Sequence, residues 1–345
     1  MKAKLKSKLT FLSLAVTLTL PTASIWAKTF DPNLQDIVAA SDNGTLHQVI
    51  ISFDQTGAPN SGQLAFLEQL GVSGVSLNKL PIVGALATSD QINAIYERAD
   101  VVSVWNNAAL DYENNGGTEI TGVQELRGDQ SLRKNGIPYS GRGIGVVVND
   151  SGVDGTHSDL IFPEHVVQNV LAQTNLQSFS DLLPITYREN IANTDIAGGH
   201  GTHVAGTVGG NGAMSNGLYA GVAPGADIIG YGSGAGLFIL DTLGGFDYAL
   251  THQFDYNIRV ISNSFGSTAD TGSDFNPDHP TNIATKALAD NGIITVFSAG
   301  NSGPGESTIT GNFKKAPWVV TVAAGDKDGN LADFSSRGVD GKSGT

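Results

Sequence analysis

Gly198-Gly199-His200-Gly201-Thr202-His203-Val204-Ala205-Gly206-Thr207 places one histidine among glycines, ahead of a run of small residues. Val204, Ala205, Thr207 and Val208 carry no bulky or charged group, so a helix there can pack deep in a core. The flanking glycines leave the space around His200 open to another molecule. The stretch predicts a titratable ring at the mouth of a rigid buried helix over residues 202–210, the arrangement a general base needs.

Around it lies a chain of 345 residues, 40% hydrophobic, with 44 glycines, 12 prolines and no cysteine. That length accommodates one large α/β domain and a smaller one. Without cysteine there is neither a disulfide nor a thiolate metal site. The net charge of −14 speaks against nucleic acid as a partner, because such binding rests on basic contacts to phosphate.

The chain opens with Lys2, Lys4, Lys6 and Lys8, an uncharged and mostly apolar stretch over 9–20, and small residues ending at Ala27. This three-part pattern predicts a secretory signal peptide over 1–27, too short for a membrane span. It implies a secreted or periplasmic protein with no membrane span after cleavage. Losing those four lysines would take the net charge to −18.

Residues 28–45 show no regular pattern. Apolar runs at 47–53, 82–88 and 101–105 read as strands, and 63–70 and 90–99 as helices, the second capped by Ser89. A small α+β module over 46–107 fits this order. Asp111-Tyr112-Glu113-Asn114-Asn115-Gly116-Gly117 is polar and turn-rich, and reads as a linker open to proteolysis. From 118 onward, apolar runs at 143–149, 227–231, 260–263, 293–298 and 318–323 are interspersed with helical stretches at 202–210, 238–252 and 281–290. That alternation predicts an α/β fold, a mostly parallel sheet with helices on both faces. In such sheets chemistry gathers at the carboxyl ends of strands, where Asp150, the 263–266 segment and Asn301 stand.

Asp150 ends Val146-Val147-Val148-Asn149 and opens a glycine turn. A carboxylate there can hold an imidazole in one tautomer, or simply cap its own turn. His200 can serve as general base, metal ligand or structural histidine. His203, three residues on, raises a zinc hydrolase, but a zincin helix needs His-Glu-x-x-His, and no glutamate stands between. Taken alone, His203 reads as a packed helix residue. Asn301, in Ala299-Gly300-Asn301-Ser302-Gly303, can donate to a developing oxyanion or act as a turn asparagine. Gly141, Gly143 and Gly145 precede their strand, so they do not form a dinucleotide fingerprint. Neither a phosphate-binding P-loop nor a Gly-x-Ser-x-Gly elbow occurs.

These residues resemble the subtilisin-like serine proteases, the subtilases. Asp150-Ser151-Gly152-Val153-Asp154 with His157-Ser158-Asp159-Leu160 is similar to the family's aspartate motif, and His200-Gly201-Thr202-His203-Val204-Ala205-Gly206-Thr207 to its histidine motif. Ser264-Phe265-Gly266, Ala299-Gly300-Asn301 and Phe334-Ser335-Ser336-Arg337-Gly338 resemble further family stretches. The resemblance covers 118–345, and 46–107 looks like the inhibitory propeptide of such enzymes. It implies a signal peptide over 1–27, a ferredoxin-like propeptide with linker over 28–117, and a catalytic domain over 118–345. It implies His200 as base, Asp150 behind it and Asn301 as oxyanion donor. Ser264, Phe265 and Gly266, with Gly232, Ser233 and Gly234, would pair with substrate as strands. The implied partners are polypeptide substrates and the propeptide itself, as inhibitor and folding helper. No cofactor is required for catalysis. Structural calcium is common in the family, and Asp159, Asp195 and the acids of 270–278 offer oxygen ligands without EF-hand spacing.

Two departures stand out. The family's nucleophile lies in a Gly-Thr-Ser-Met-Ala-like motif after the Phe-Ser-Ser-Arg-Gly stretch, and no serine here matches it. The expectation is therefore a secreted serine endopeptidase precursor whose serine lies beyond residue 345, with a catalytically dead peptide-binding relative as the rival. The second departure is Asn149, where an aliphatic residue is more usual.

Overall fold

The structure, a computed structural model, describes residues 28–339 apart from 43, 110, 113–122, 135, 197, 234–236 and 327. The N-terminal basic and apolar segment, most of the predicted linker and Gly234 thus lie outside the described residues.

Regular structure begins where the sequence showed no pattern. Strand β1 (Thr29–Phe30) leads into α1 (Pro32–Ala39). Asp31 caps this helix, accepting from the Asn33 N–H at 3.0 Å, and Pro32 presets the helical φ of the first turn. Next come β2 (His47–Phe53), α2 (Ser61–Gln69), β3 (Ser73–Ser76), β4 (Ile82–Ala87), α3 (Ser89–Glu97) and β5 (Val101–Asn106). The α3 cap is Thr88 rather than Ser89. Its hydroxyl accepts from the Gln91 N–H while the Gln91 side chain accepts from the Thr88 N–H. Spatial order β5-β2-β4-β3 with antiparallel pairing is the ferredoxin-like order expected for this module, and β1 adds in parallel to β5. One face of this sheet buries Leu34, Val49, Ile51, Leu67, Val83 and Ile92.

The rest of the chain supplies β6 (Asp111–Tyr112), α4 (Val123–Gly128), the hairpin β7 (Arg133–Lys134) and β8 (Ile137–Pro138), then β9 (Gly145–Asp150) and β10 (Val166–Ala172). Short strands β11 (Leu182–Pro184) and β12 (Tyr187–Arg188) precede α5 (His200–Gly209), β13 (Asp227–Gly232), α6 (Ile239–Thr251) and β14 (Ile258–Asn263). The chain ends with β15 (Phe265–Gly266), α7 (Pro280–Asp290), β16 (Ile294–Ser298) and β17 (Val319–Val322). The central sheet runs β12-β10-β13-β9-β14-β16-β17, parallel throughout except for β12. Alternation along β9 sorts its side chains. Val146 and Val148 pack with Val204 and Ala205 of α5 on one face. Val147 joins Phe246 of α6 and Leu288 of α7 on the other. Helices therefore cover both faces, as the apolar runs predicted. The unforeseen strand β10 carries Gln168 and Asn169 in its middle. Both are buried and satisfied by side-chain to backbone bonds that no hydrophobic pattern reveals.

The second face of the N-terminal sheet does not meet water. Ile50, Val75 and Ile82 share one apolar cluster with Leu240, Leu243 and Phe246 of α6. Gly84 makes this fit close, since a Cβ there would lie 2.5 Å from Leu240 Cδ2. At the edge of the contact His279 caps α7, Nδ1 accepting from the Thr281 N–H at 3.1 Å. Its ring lies 4.6 Å from that of Trp105 and 5.5 Å from that of Phe313.

Burial pushes the His279 imidazole down to about 4, against a partly opposing pull from Asp270. The unfolded chain takes that proton near pH 6.5, so the site's contribution is full above 6.5 and is lost as pH falls toward about 4. Asp241, pushed up to about 6 by burial, acts in the opposite sense, losing its contribution as pH rises from 3.8 to about 6. Substituting His279→Asn, which keeps a cap acceptor and cannot charge, isolates the first effect. The drop in melting temperature between pH 7 and pH 4.5 should shrink relative to the parent; an equal drop would remove His279 as its source.

Candidate active site

Three parallel strands, β9, β14 and β16, end at the same edge of the sheet, paired in register through Val148↔Ser262 and Asn263↔Phe297. Asp150, Ser264 and Asn301 follow at that edge, as the topology of a parallel sheet requires. Asp150 is the last residue of β9 and fully buried. Helix α5 starts at His200 itself, two residues earlier than predicted, after Gly199 turns the chain at φ 85°. The ring Nδ1 lies 2.6 Å from Asp150 Oδ1, which also accepts from the Ser151 N–H at 2.7 Å. Asp150 is dry, whereas the His200 side chain is 20% accessible although its Nε2 atom is itself covered. Burial pushes the Asp150 carboxyl above its usual range, while the His200 contact and the Ser151 N–H draw it back.

The glycines of the histidine stretch divide their work. Gly198 and Gly199 have open space where a Cβ would be, as expected, but Gly201 does not. A Cβ on Gly201 would stand 2.2 Å from the Gly152 carbonyl oxygen and 3.0 Å from Asp150 Cβ. Gly201 thus lets α5 press against the turn after β9, which brings His200 onto Asp150. Gly152, at φ 125°, lets the same turn press on the 194–195 segment, since a Cβ there would lie 2.3 Å from the Thr194 carbonyl oxygen.

A polar network that the sequence did not disclose holds this approach. Asp195 Oδ1 accepts from the Ser151 hydroxyl at 3.0 Å and from the Gly199 N–H at 3.2 Å. Its Oδ2 accepts from the Thr202 N–H at 3.0 Å. Ser151 Oγ accepts from the Gly201 N–H at 2.8 Å, and Thr202 Oγ1 from the Asp154 N–H at 2.9 Å. Asp195 is therefore the acid at the α5 N-terminus, five residues ahead of His200, where helix polarity favours a negative charge. That position was the available signal.

Asn149 points away from Asp150, as alternation along a strand demands. Its Nδ2 donates to Thr242 O at 3.1 Å and to Asn263 Oδ1 at 3.0 Å, and Asn263 Nδ2 donates to Val296 O at 3.0 Å. Gly245 on α6 leaves room for it, since a Cβ would fall 2.4 Å from Asn149 Oδ1. The amides tie β9, β14 and β16 together just before their functional ends.

Asn301 is exposed in the turn after β16. The Phe334-Ser335-Ser336-Arg337-Gly338 stretch buckles that turn from below. Ser336 Oγ accepts from the Ser302 N–H at 3.0 Å and the Ser336 N–H donates to Gly300 O at 2.8 Å. Ser264 to Gly266 lie along a cleft already filled by the chain itself. Phe265 pairs with Tyr112 and Gly266 with Asp111, antiparallel, and Ala109 bridges Phe238. Gly232 departs from expectation. It is the last residue of β13, between Leu171 and Asp150, so both its edges are taken and it cannot pair with substrate. Ser233, whose N–H donates to Asp150 O at 2.9 Å, is half-buried beside a cavity of about 630 Å³ that Phe238, Gln48 and Asn107 also line. His203 is exposed on the outer side of α5 rather than packed. Among the described residues no three histidine or acidic side chains converge as a metal cluster. Asp159 accepts from the Met214 N–H, and Asp270 from Asn312.

A family model described as the subtilase family matches residues 141–343. The serine protease AprX of Bacillus subtilis is 28% identical over 316 residues, 84% of this chain and 64% of its own length. The subtilisin of Bacillus sp. strain TA39 is 26% identical over 359 residues, 94% of this chain and 73% of its own. The chain thus spans less than two thirds of AprX. The crystal structure of fervidolysin from Fervidobacterium pennivorans shares the fold, with a TM-score of 0.57 and 20% identity over 90% of this chain and 47% of that one.

Replacing Gly201 by alanine should lower stability by about 1–3 kcal/mol, the usual cost of forcing extra volume into a filled site. Urea unfolding reads it; an unchanged midpoint would mean that α5 does not need the glycine.

Proposed function

The chain belongs to the subtilase family of subtilisin-like serine proteases, and from that premise we propose that it is the precursor of an exported serine endopeptidase. The observation that carries this reading is the 2.6 Å contact between a buried carboxylate and a cleft-facing imidazole at the carboxyl edge of a parallel sheet. Asp150 holds the ring with its proton on Nδ1, leaving Nε2 to take the proton of an attacking hydroxyl. The carboxylate then stabilises the imidazolium, which returns the proton to the leaving amine. Asn301 donates its side-chain amide to the oxyanion of the tetrahedral intermediate. In this reading the hydroxyl belongs to a serine outside residues 1–345, since none within them carries the family's nucleophile motif.

Residues 28–112 act as an inhibitor and folding helper. The pairing of Asp111 and Tyr112 with Phe265 and Gly266 supports this, because it is how a polypeptide substrate would lie, held by main-chain hydrogen bonds that tolerate many sequences. Residues 1–27 direct export, and maturation cuts between 113 and 118. Among the described residues no helix is long and apolar enough to cross a membrane.

A serine-directed phosphonate probe tests the reading on the full gene product after export. Labelling is expected on a species whose new N-terminus falls at 113–118. Absence of labelling on folded, matured protein would overturn the enzyme and leave a peptide-binding protein of the same fold. On the active species Asn301→Ala should lower kcat by about 100- to 1000-fold with little change in KM; a loss confined to KM would remove Asn301 from the transition state.

A further inference from the structure

Residues 173–186 form an arm that leaves the central sheet at the end of β10 and returns as β12. Its neck is closed by the Gln173 N–H donating to Thr186 O at 3.0 Å and the Thr186 hydroxyl to Gln173 Oε1 at 3.0 Å. The tip of the arm belongs to another sheet. Strand β11 adds in parallel to β3, with Leu182↔Gly74, Leu183↔Val75 and Pro184↔Ser76 in register. The ladder is flanked by the Gly74 N–H donating to Asp181 O at 3.3 Å and the Ile185 N–H to Ser76 O at 2.8 Å. Leu182 packs against the core of the N-terminal unit, while Leu176 and Ile185 are buried in the cluster shared with Val75. Strand alternation turns position 184 outward, and a proline there offers no N–H, so the six-stranded sheet ends at β11.

We propose that this arm is a second docking site for the N-terminal unit, separate from the substrate cleft, which retains that unit after the linker is cut. The proposal rests on reading residues 28–112 as the cleft's inhibitor. Besides the face that rests on α6, the unit is held at opposite sides of one sheet. β5 runs into the cleft segment, whereas β3, three strands away, meets the arm. Cutting the chain after residue 112 frees the end that fills the cleft but breaks no bond between β3 and β11. Release of the inhibitor is then slowed, beyond what the α6 face provides, by an element of the C-terminal unit that touches neither Asp150 nor His200. Recognition is by strand addition, so the preferred partner is a strand with the backbone register of β3, supplied by this chain or by a second copy of the same unit.

The test uses the full chain with a recognition site for a sequence-specific endopeptidase inserted after Asn115. After cutting, release of the 28–115 fragment is followed by gel filtration and native mass spectrometry. The parent should retain the fragment. Leu183→Pro removes the N–H that the register directs at β3, and Leu183 is exposed, so its side chain is dispensable to the core. Release should accelerate about tenfold or more in Leu183→Pro and stay unchanged in Leu183→Thr. Equal release from parent and proline variant would overturn the proposal. Hydrogen exchange at the Gly74 amide of the cut parent gives an independent reading, with protection expected until the fragment leaves and free exchange while it is still bound counting against the arm. Retention is read without any proteolysis by the chain, so a protein that holds its fragment through the arm, yet takes no phosphonate label once the fragment has been removed, would sink the protease reading and leave the arm standing.

Discussion

The approach of α5 to the end of β9 governs the rest of the molecule. A helix terminus and a strand terminus both carry backbone and side-chain atoms that normally keep them apart. Here Gly201 removes the Cβ that would collide, Gly152 does the same where the turn meets the Thr194 backbone, and the Asp150 carboxylate enters a dry environment with the His200 ring 2.6 Å away. Burying a carboxylate is costly unless it is hydrogen-bonded. Asp150 meets that condition at Oδ1, through the ring and the Ser151 N–H, while Oδ2 is buried without a hydrogen-bond partner among the described residues; Asp195 fixes the positions of both donors' chains by bonding Ser151, Gly199 and Thr202. The alternating faces of β9 extend the same logic, since Asn149 is turned to the opposite side and binds the neighbouring strand ends together.

The two structural units are joined by apolar burial as well as by chain connection. The N-terminal sheet has helices on one face only, so its other face must find cover, and α6 provides it. A parallel sheet closes contacts that are distant in sequence, which makes its folding slow.

Much of this was legible in the residues. The apolar runs marked β2, β4, β5, β9, β13, β14, β16 and β17, because a strand buried on both faces needs unbroken hydrophobicity. Strand β10 escaped because its buried Gln168 and Asn169 are satisfied by partners far along the chain, among them Val153, Thr194 and Tyr256. Helix α1 escaped because it is a short amphipathic helix of 8 residues, held by a cap and a proline. Strands β11 and β3 escaped because a short edge strand is defined by its partner rather than by its own pattern. Gly232 and Gly201 show the same limit at the site. A glycine in sequence signals freedom, and only its neighbours show whether that freedom opens space or closes it.

The sequence by itself determined the family, the parallel α/β class, and the pairing of Asp150 with His200, because those depend on residue types at fixed spacing. It also carried the ferredoxin-like order of the N-terminal module. Tertiary structure alone decided that Asp195 braces the helix, that Asn149 turns away from the carboxylate, that Gly232 is locked within the sheet, and that the 173–186 arm adds a strand to the far side of the N-terminal sheet from β5. Those facts arise from contacts between segments far apart in the chain, and hydrogen-bond partners and steric room at such distances leave no periodic trace in the order of the residues.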